Sequence, residues 1–339
     1  MNFWNEIKKP ILCLAPMSDV TDAAFRFIIA KYSKSDHVTY TEFVSADGLV
    51  KAPEAGRRKL LKDLEYSEIE RPIVAQFFTN KPEMMEKAAQ LAVELGFDGI
   101  DINMGCPDKS IEKQGAGAAL MKNPLLAREL IKAAKQGVSR GALAKWGNVN
   151  KSIPVSVKTR LGYSKDELET WLPELLAENP AAIIIHARIR KEMSKVPARW
   201  ERIKGAVEIR NELQSNTLII GNGDVTDTDD ARKKCEETEA DGAMLGRAVF
   251  GNPFLFSDLR KEKRPERSEG QITPEEKLQV LMEHTKLFEE KFRGIKSFAI
   301  MKKHFKEYLK DFNLRDLRFK LMRTKSAEEV EKMIKDYLS

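Results

Sequence analysis

Between residues 11 and 246 the chain repeats one pattern eight times: a short run rich in β-branched residues, separated from the next in most cases by a stretch whose apolar positions recur at helical spacing. The runs are Ile11 to Met17, His37 to Ser45, Pro72 to Thr79, Gly99 to Cys106, Ile153 to Thr159, Ala181 to Arg188, Thr217 to Gly223 and Gly242 to Gly246. The helical stretches are Asp22 to Lys31, Pro82 to Leu95, Pro124 to Lys135, Asp166 to Glu178, Trp200 to Leu213 and Asp227 to Glu237, with a weaker one at Arg57 to Leu64. Alternation of this kind marks stacked β/α units on a parallel sheet. Eight units in this length predict an α/β fold of the closed (β/α)8 class, a TIM barrel. An open doubly wound sheet would normally carry a G-x-G-x-x-G turn after its first strand, and none is present.

In a barrel the chemistry sits at the C-terminal strand ends. The unusual polar residues fall there: Met17 and Ser18, Glu42, Gln76, Asn103 and Cys106, Lys158 and Arg160, His186 and Arg188, Asn222 and Asp224, Gly246 and Arg247. Beyond Pro253 strand runs cease. A charged stretch, Arg260 to Gly270, precedes the helix-start signal Thr273-Pro274-Glu275-Glu276, and apolar residues then recur at helical spacing to Tyr337. The expected organisation is a catalytic barrel over 1–255 and a small helical bundle over 256–339, with a linker at about 256–272. A stretch from Gly137 to Lys151, rich in Lys, Arg and Gly, reads as an irregular surface insertion on the face opposite the catalytic ends.

At 339 residues, 42% hydrophobic and 32% charged, the chain can bury a large core as an ordinary soluble protein. Its first apolar run is cut by Pro16, too short for a membrane span and without a signal-peptide pattern, so a cytoplasmic monomer is expected. Cys13, Cys106 and Cys235 are too few and too scattered for a disulfide framework or a zinc cluster, so no metal is expected. The net charge of +6 is unevenly placed: residues 256–339 hold 21 Lys and Arg against 16 Asp and Glu, and residues 1–255 hold 37 against 36. A polyanionic partner and a merely solvated basic face both fit that asymmetry.

The seventh and eighth runs end in Gly221-Asn222-Gly223-Asp224 and Gly246-Arg247, where barrels commonly build a phosphate site from backbone N–H groups. Glycine admits close approach of the phosphate and Arg247 adds charge-assisted donors. Lys158 and Arg160, like His186 and Arg188, are spaced by two and so point to one face, either as ion pairs at the barrel mouth or as ligand contacts. A cation near the N1 and C2 carbonyl region of a flavin stabilises its reduced form, and Lys158 is the candidate. Gln76 offers both donors and an acceptor to a heterocycle edge. Cys106 leaves its strand on a loop, where a thiol can meet a substrate, while Cys13 and Cys235 read as small buried apolar groups.

Together these motifs resemble one family closely, the tRNA-dihydrouridine synthases, flavin enzymes with a barrel followed by a helical domain. The resemblance runs through APMSDVTDAAFR (15–26), VAQFF (74–78), DINMGCP (101–107), QGAGAALMKNP (114–124), PVSVKTRLG (154–162), HAR (186–188), GNGD (221–224) and GRAVFGNP (246–253). In the helical region MKKHFKEYL (301–309) resembles the basic segment that the family sets beside RNA. The resemblance implies that Pro16, Met17, Ser18, Gln76, Lys158 and His186 hold FMN around its ring and ribityl chain, and that Asn222, Gly223, Asp224, Gly246 and Arg247 hold its phosphate end. It implies NADPH as reductant, hydride passing from the flavin to C6 of a uracil in tRNA, and Cys106 protonating C5. Asn103 and Arg188 are expected near the base. Lys302, Lys303, His304 and Lys306 are expected at the RNA backbone, in a segment, 302–325, with nine Lys and Arg against three Asp and Glu. Asp19 stands where the family usually has glycine, and Ile189 where threonine is common. Two other functions share these features: an FMN enzyme acting on a free pyrimidine, and a non-catalytic RNA-binding protein on the same scaffold.

Overall fold

A computed structural model describes residues 2–33, 37–257, 272–310 and 314–339. They divide into two compact units, one drawn from Met1–Pro16, Asp36–Leu64 and Arg71–Gly246, the other from Met17–Ser35, Glu65–Glu70 and Arg247–Ser339. The stretch 258–271, most of the expected linker, lies outside the described residues.

The first unit is a closed barrel of eight parallel strands: β1 (Ile11–Leu14), β2 (His37–Ser45), β3 (Ile73–Phe78), β4 (Gly99–Asn103), β5 (Val155–Arg160), β6 (Ala182–His186), β7 (Leu218–Asn222) and β8 (Gly242–Leu245). Each pairs with the next, and β8 pairs back to β1 with Ile11 beside Gly242 and Leu14 beside Leu245. The TIM barrel expected from the eightfold alternation is the fold observed. Register aligns the polar strand ends: Gln76 lies beside Asp101, Asn103 beside Lys158, Arg160 beside His186, and His186 beside Asn222. β-branched residues such as Ile100, Ile102, Val155, Val157, Ile183 and Ile185 are buried along the same strands and make the barrel rigid beneath those ends.

The first helix, α1 (Ala23–Ser33), follows β1 in the chain but belongs to the second unit. The barrel's own helices are α2 (Ala46–Lys51), α3 (Glu54–Asp63), α4 (Pro82–Leu95), α5 (Lys109–Glu112), α6 (Pro124–Trp146), α7 (Leu168–Leu176), α8 (Glu201–Glu212) and α9 (Thr228–Thr238). The structure corrects the irregular insertion expected at 137–151. Helix α6 runs on to Trp146 and is closed by Gly147 at φ 63, and a short 3-10 turn covers Val149–Lys151. Gly137 and Gly141 look like helix breakers, but they are where α6 presses against α4. A Cβ on Gly137 would stand 2.2 Å from the Glu86 carbonyl oxygen, and one on Gly141 2.8 Å from Val93 Cβ. Close packing outweighs the ~1 kcal/mol that each glycine costs a helix.

The second unit combines α1 with α10 (Pro274–Phe292), α11 (Met301–Tyr308), α12 (Arg315–Leu321) and α13 (Ala327–Leu338). Helix α10 begins at the expected signal, with Thr273 and Glu276 forming a reciprocal capping box. Glu283 on α10 accepts hydrogen bonds from Lys31 at 2.5 Å and Tyr32 at 2.6 Å, both on α1. Arg26 of α1 is fully buried and ion-paired with Glu70 at 2.8 Å. Phe25, His284, His304, Phe250 and Tyr308 make an aromatic core, with the two imidazole centroids 4.6 Å apart. Among the described residues no helix is long and apolar enough to cross a membrane, and no group of three or more His, Cys, Asp or Glu is placed to hold a metal.

Candidate active site

At the C-terminal end of the barrel a polar chain begins on a buried carboxylate. Asp101, inside β4, accepts from Gln76 Nε2 and from Ser156 Oγ, each at 2.6 Å. Gln76 Oε1 accepts from Asn103 Nδ2 at 3.0 Å, and Asn103 Oδ1 accepts the backbone N–H of Gly105 at 3.2 Å and of Cys106 at 2.9 Å. Because Asp101 accepts from both neighbours, Gln76 must turn its nitrogen inward and its oxygen outward. Asn103 in turn must offer its oxygen to the loop. Burial pushes the Asp101 carboxyl up to about 7 against the pull of Ser156, Gln76 and Lys158.

The chain ends on the loop that carries Cys106. That residue's carbonyl accepts the Ala118 N–H at 2.9 Å. Gly117, at φ +60, fits under it: a Cβ there would come within 2.8 Å of the Cys106 carbonyl oxygen. The QGAGAA segment is therefore glycine-rich so that it can close over the cysteine loop. Cys106 is half-buried, and burial pushes its thiol up. Cys13 and Cys235 are both buried and free, with thiols also pushed up by burial.

Across the strand ends Lys158 Nζ donates to Asn222 Oδ1 at 3.2 Å, and Asn222 Nδ2 donates to the Met244 carbonyl at 2.8 Å. Lys158 keeps some solvent access, yet burial, then Arg160, lowers it to about 8. Arg160 is buried and clamps the loops: it donates to the carbonyls of Gly105 at 2.8 Å and Met193 at 3.1 Å.

His186 is half-buried, and Arg188 reaches its Nε2 at 3.0 Å. A guanidinium can only donate, so Nε2 accepts and the ring proton sits on Nδ1. Arg188 also donates to the Val196 carbonyl at 2.6 Å and pairs with Asp224. Gly223 sits at φ +119, and a Cβ there would stand 2.9 Å from Ala198 Cβ and 3.0 Å from His186 Cδ2. Asp224 is exposed and its carboxylate also accepts the Ala198 N–H at 2.9 Å, so only its backbone is left for an anion. Gly246 is half-buried just past β8.

Three expectations change. Gln76 has no exposed surface, and both ends of its amide are committed to Asp101 and Asn103, so it supports the floor of the site instead of presenting a hydrogen-bonding edge. Arg188 is 2% exposed and each of its three nitrogens bonds within the protein, to Val196, His186 and Asp224, so it positions those groups. His304 is wholly buried in the second unit's core, whereas Lys302 is half-buried and Lys303 and Lys306 are exposed on the same helix. Spacing of three to four residues separates the wet and dry faces of α11, and the histidine falls on the dry one.

In the second unit, Met17 is half-buried and Ser18 exposed, in a turn where Thr21 Oγ1 accepts the Met17 N–H at 2.8 Å. Pro16, the last residue of the first unit's N-terminal segment, is half-buried. Asp19 has φ 54, a conformation natural to the glycine usual in that motif, and Lys303 of α11 reaches its carboxylate at 3.2 Å. Arg247 is exposed at the head of the turn Arg247–Val249. Asp101 carried no role from sequence. A charged residue inside an apolar strand was the available signal, since a buried charge persists only where it is hydrogen-bonded.

The family model described as dihydrouridine synthase matches residues 13–339. A probable tRNA-dihydrouridine synthase 2 from Bacillus subtilis (strain 168) is 38% identical over 339 residues, covering 99% of this chain and 96% of the relative. A probable tRNA-dihydrouridine synthase from Staphylococcus aureus (strain COL) is 37% identical, covering 99% of this chain and 95% of the relative. Among solved structures, histamine dehydrogenase from Rhizobium sp. 4-9 aligns with a TM-score of 0.50 at 14% identity, over 72% of this chain and 44% of that one. At that identity the likeness is one of fold alone.

Proposed function

The chain belongs to the dihydrouridine synthase family, and from that premise we propose that it reduces the C5=C6 bond of uridines in tRNA with FMN as cofactor, NADPH as reductant and Cys106 as proton donor. The observation that carries this reading is the cysteine loop. A thiol on a loop whose backbone is held by Asn103 and Ala118, half-buried and pushed up by burial, stays protonated at neutral pH as a general acid requires. FMN held here would supply, after reduction by NADPH, the hydride that adds to C6 of the uracil.

The barrel's residues fit such a group. Lys158, an ammonium bonded to an amide oxygen, and His186, with its proton on Nδ1, offer donors to a flavin ring. The Asn222-Gly223-Asp224 turn and Gly246 offer a glycine-lined end for the phosphate, with Arg247 as its cation. Pro16, Met17 and Ser18 would line the flavin edge, Gln76 would hold the floor, and Asn103 keeps one amide N–H for the base. Cys106 gives its proton to C5 and regains one from solvent. Lys302, Lys303 and Lys306 would meet RNA phosphates. The bundle over 256–339 would serve tRNA binding and the barrel over 1–255 catalysis, in a cytoplasmic protein.

The test is incubation of purified protein with NADPH and unmodified tRNA, followed by mapping of dihydrouridine by position. Cys106→Ala is expected to keep its flavin and to be reduced by NADPH, yet to form almost no product. Near-normal product would give the proton-donor role to another group. Turnover of free uracil but not of tRNA would replace the substrate.

A further inference from the structure

We propose that the loops following β4, β5 and β6 form a rigid basic rim that grips the RNA backbone on either side of the reacting uridine. This inference rests on the reading of RNA as substrate. It concerns residues of the barrel itself, apart from the basic helical segment.

Three observations carry it. First, the loops are tied into one body. Arg190, after β6, donates to Glu112, after β4, through Nε at 2.6 Å and through a second guanidinium nitrogen. Its guanidinium also lies 5.3 Å from the ring of Tyr163, after β5, and Lys122 covers the same ring at 4.4 Å. Backbone bonds from Arg190 to Gly162 at 2.8 Å and from Lys191 to Tyr163 at 3.1 Å close the set.

Second, the charge is concentrated and sorted. Residues 108–122, 161–167 and 188–199 together hold nine Lys and Arg against five Asp and Glu, whereas the rest of 1–255 holds 28 against 31. The acids are consumed internally: Glu112 by Arg190, Asp166 by Arg202, Glu192 by Arg199, Glu167 by the Tyr163 N–H and Asp108 by Ser110. The lysines are not: Lys109, Lys113, Lys122, Lys165, Lys191 and Lys195 are all exposed and make no ion pair among the described residues.

Third, the rim borders the reacting group. Arg160 holds both the Gly105 carbonyl, next to Cys106, and the Met193 carbonyl, between Lys191 and Lys195. Arginine–acid pairs thus stiffen the loops, and of the six exposed lysines the five other than Lys122, which lies over Tyr163, remain as point charges for a polyanion. Lysine suits sequence-independent contact with phosphates. A base drawn out of an RNA fold must have its flanking nucleotides held, because unstacking has to be offset by backbone contacts.

The experiment replaces Lys113, Lys165, Lys191 and Lys195 together by glutamine, and separately by arginine, in the full chain. Affinity for a tRNA transcript is measured across a salt series, with thermal unfolding as the control for folding. Each lost phosphate contact lowers the slope of log K against log salt by about 0.7–0.9. With four contacts removed the glutamine variant is expected to lose about three to three and a half from the slope, and the arginine variant to keep it. An unchanged slope in the glutamine variant overturns the rim, and so does weaker binding with the wild-type slope, because the contact would then not be with phosphate. If the wild-type protein forms no dihydrouridine on any transcript while the slopes still separate, the proposed activity fails and the rim stands as an RNA site.

Discussion

The buried imidazoles of the helical unit make stability there depend on pH. His284 and His304 have no exposed surface, and none of their four ring nitrogens has a hydrogen-bond partner in the protein. Burial, then Lys303, lowers His304 to about 3; burial, then His304 itself, holds His284 well below 6.5. Both values are depressed, so the unfolded chain binds more protons below pH 6.5. The stability is whole above that value and is lost as pH falls toward 3. A histidine with an unfolded value of about 6.5 that stays neutral when folded loses about 1.4 kcal/mol between pH 7.5 and 5.5, so the pair together loses roughly 2.7 kcal/mol. His304→Leu keeps an apolar group of similar bulk and should halve that dependence. Urea unfolding followed by circular dichroism at the two pH values, with hydrogen exchange read on α10 and α11, measures it. Asp101 pulls the other way over the same window, its raised carboxyl favouring the fold as pH drops, so the wild-type minus variant difference is the quantity to read. Equal losses in both chains would mean that His304 is already charged in the folded protein and would refute the reasoning.

Other consequences can be tested one residue at a time. Gly223→Ala puts a Cβ 3.0 Å from His186 at φ +119; about 1–3 kcal/mol of strain there should weaken FMN binding about ten-fold or more, seen as lost flavin absorbance on dilution. Asp101→Leu strands Gln76 and Ser156, and with about 1–3 kcal/mol lost per orphaned group it should lower the melting temperature and slow uridine reduction. Asp101→Asn can accept from Gln76 and donate to Ser156 Oγ, so it should retain both properties and be more stable than wild type above pH 7; if it behaves like the leucine variant, the chain of amides is not set from Asp101. Gly137→Ala, 2.2 Å from a backbone oxygen of α4, should cost about 1–3 kcal/mol in denaturant unfolding although alanine is the better helix former.

The barrel was legible because its determinant is local and repeated. Each β/α unit writes its own period, and the polar residue at the end of each strand marks one rim of the closed sheet. The candidate site was legible in outline for the same reason: Lys158, His186 and Asn222 lie at the strand ends that counting places them on, and Cys106 lies on the loop three residues past the end of β4. Contacts between elements were not legible. Nothing local tells that Gly137 and Gly141 lie against another helix, that Arg188 spends its donors on Asp224 36 residues away, or that His304 faces Phe25. Residue type misled there, because glycine, arginine and histidine each have a surface role that is commoner than the buried one found.

Helix α1 sets a condition on how the protein can be made. Phe25, Tyr32 and Lys31 meet partners on α10 and α11 that are more than 250 positions later in the chain. A ribosome adding about 5–20 residues per second therefore exposes the apolar face of α1 for at least some ten seconds before its partners exist. A fragment ending at residue 255 would keep that face bare for good. Such a fragment should need a chaperone or aggregate, even though it contains every strand of the barrel.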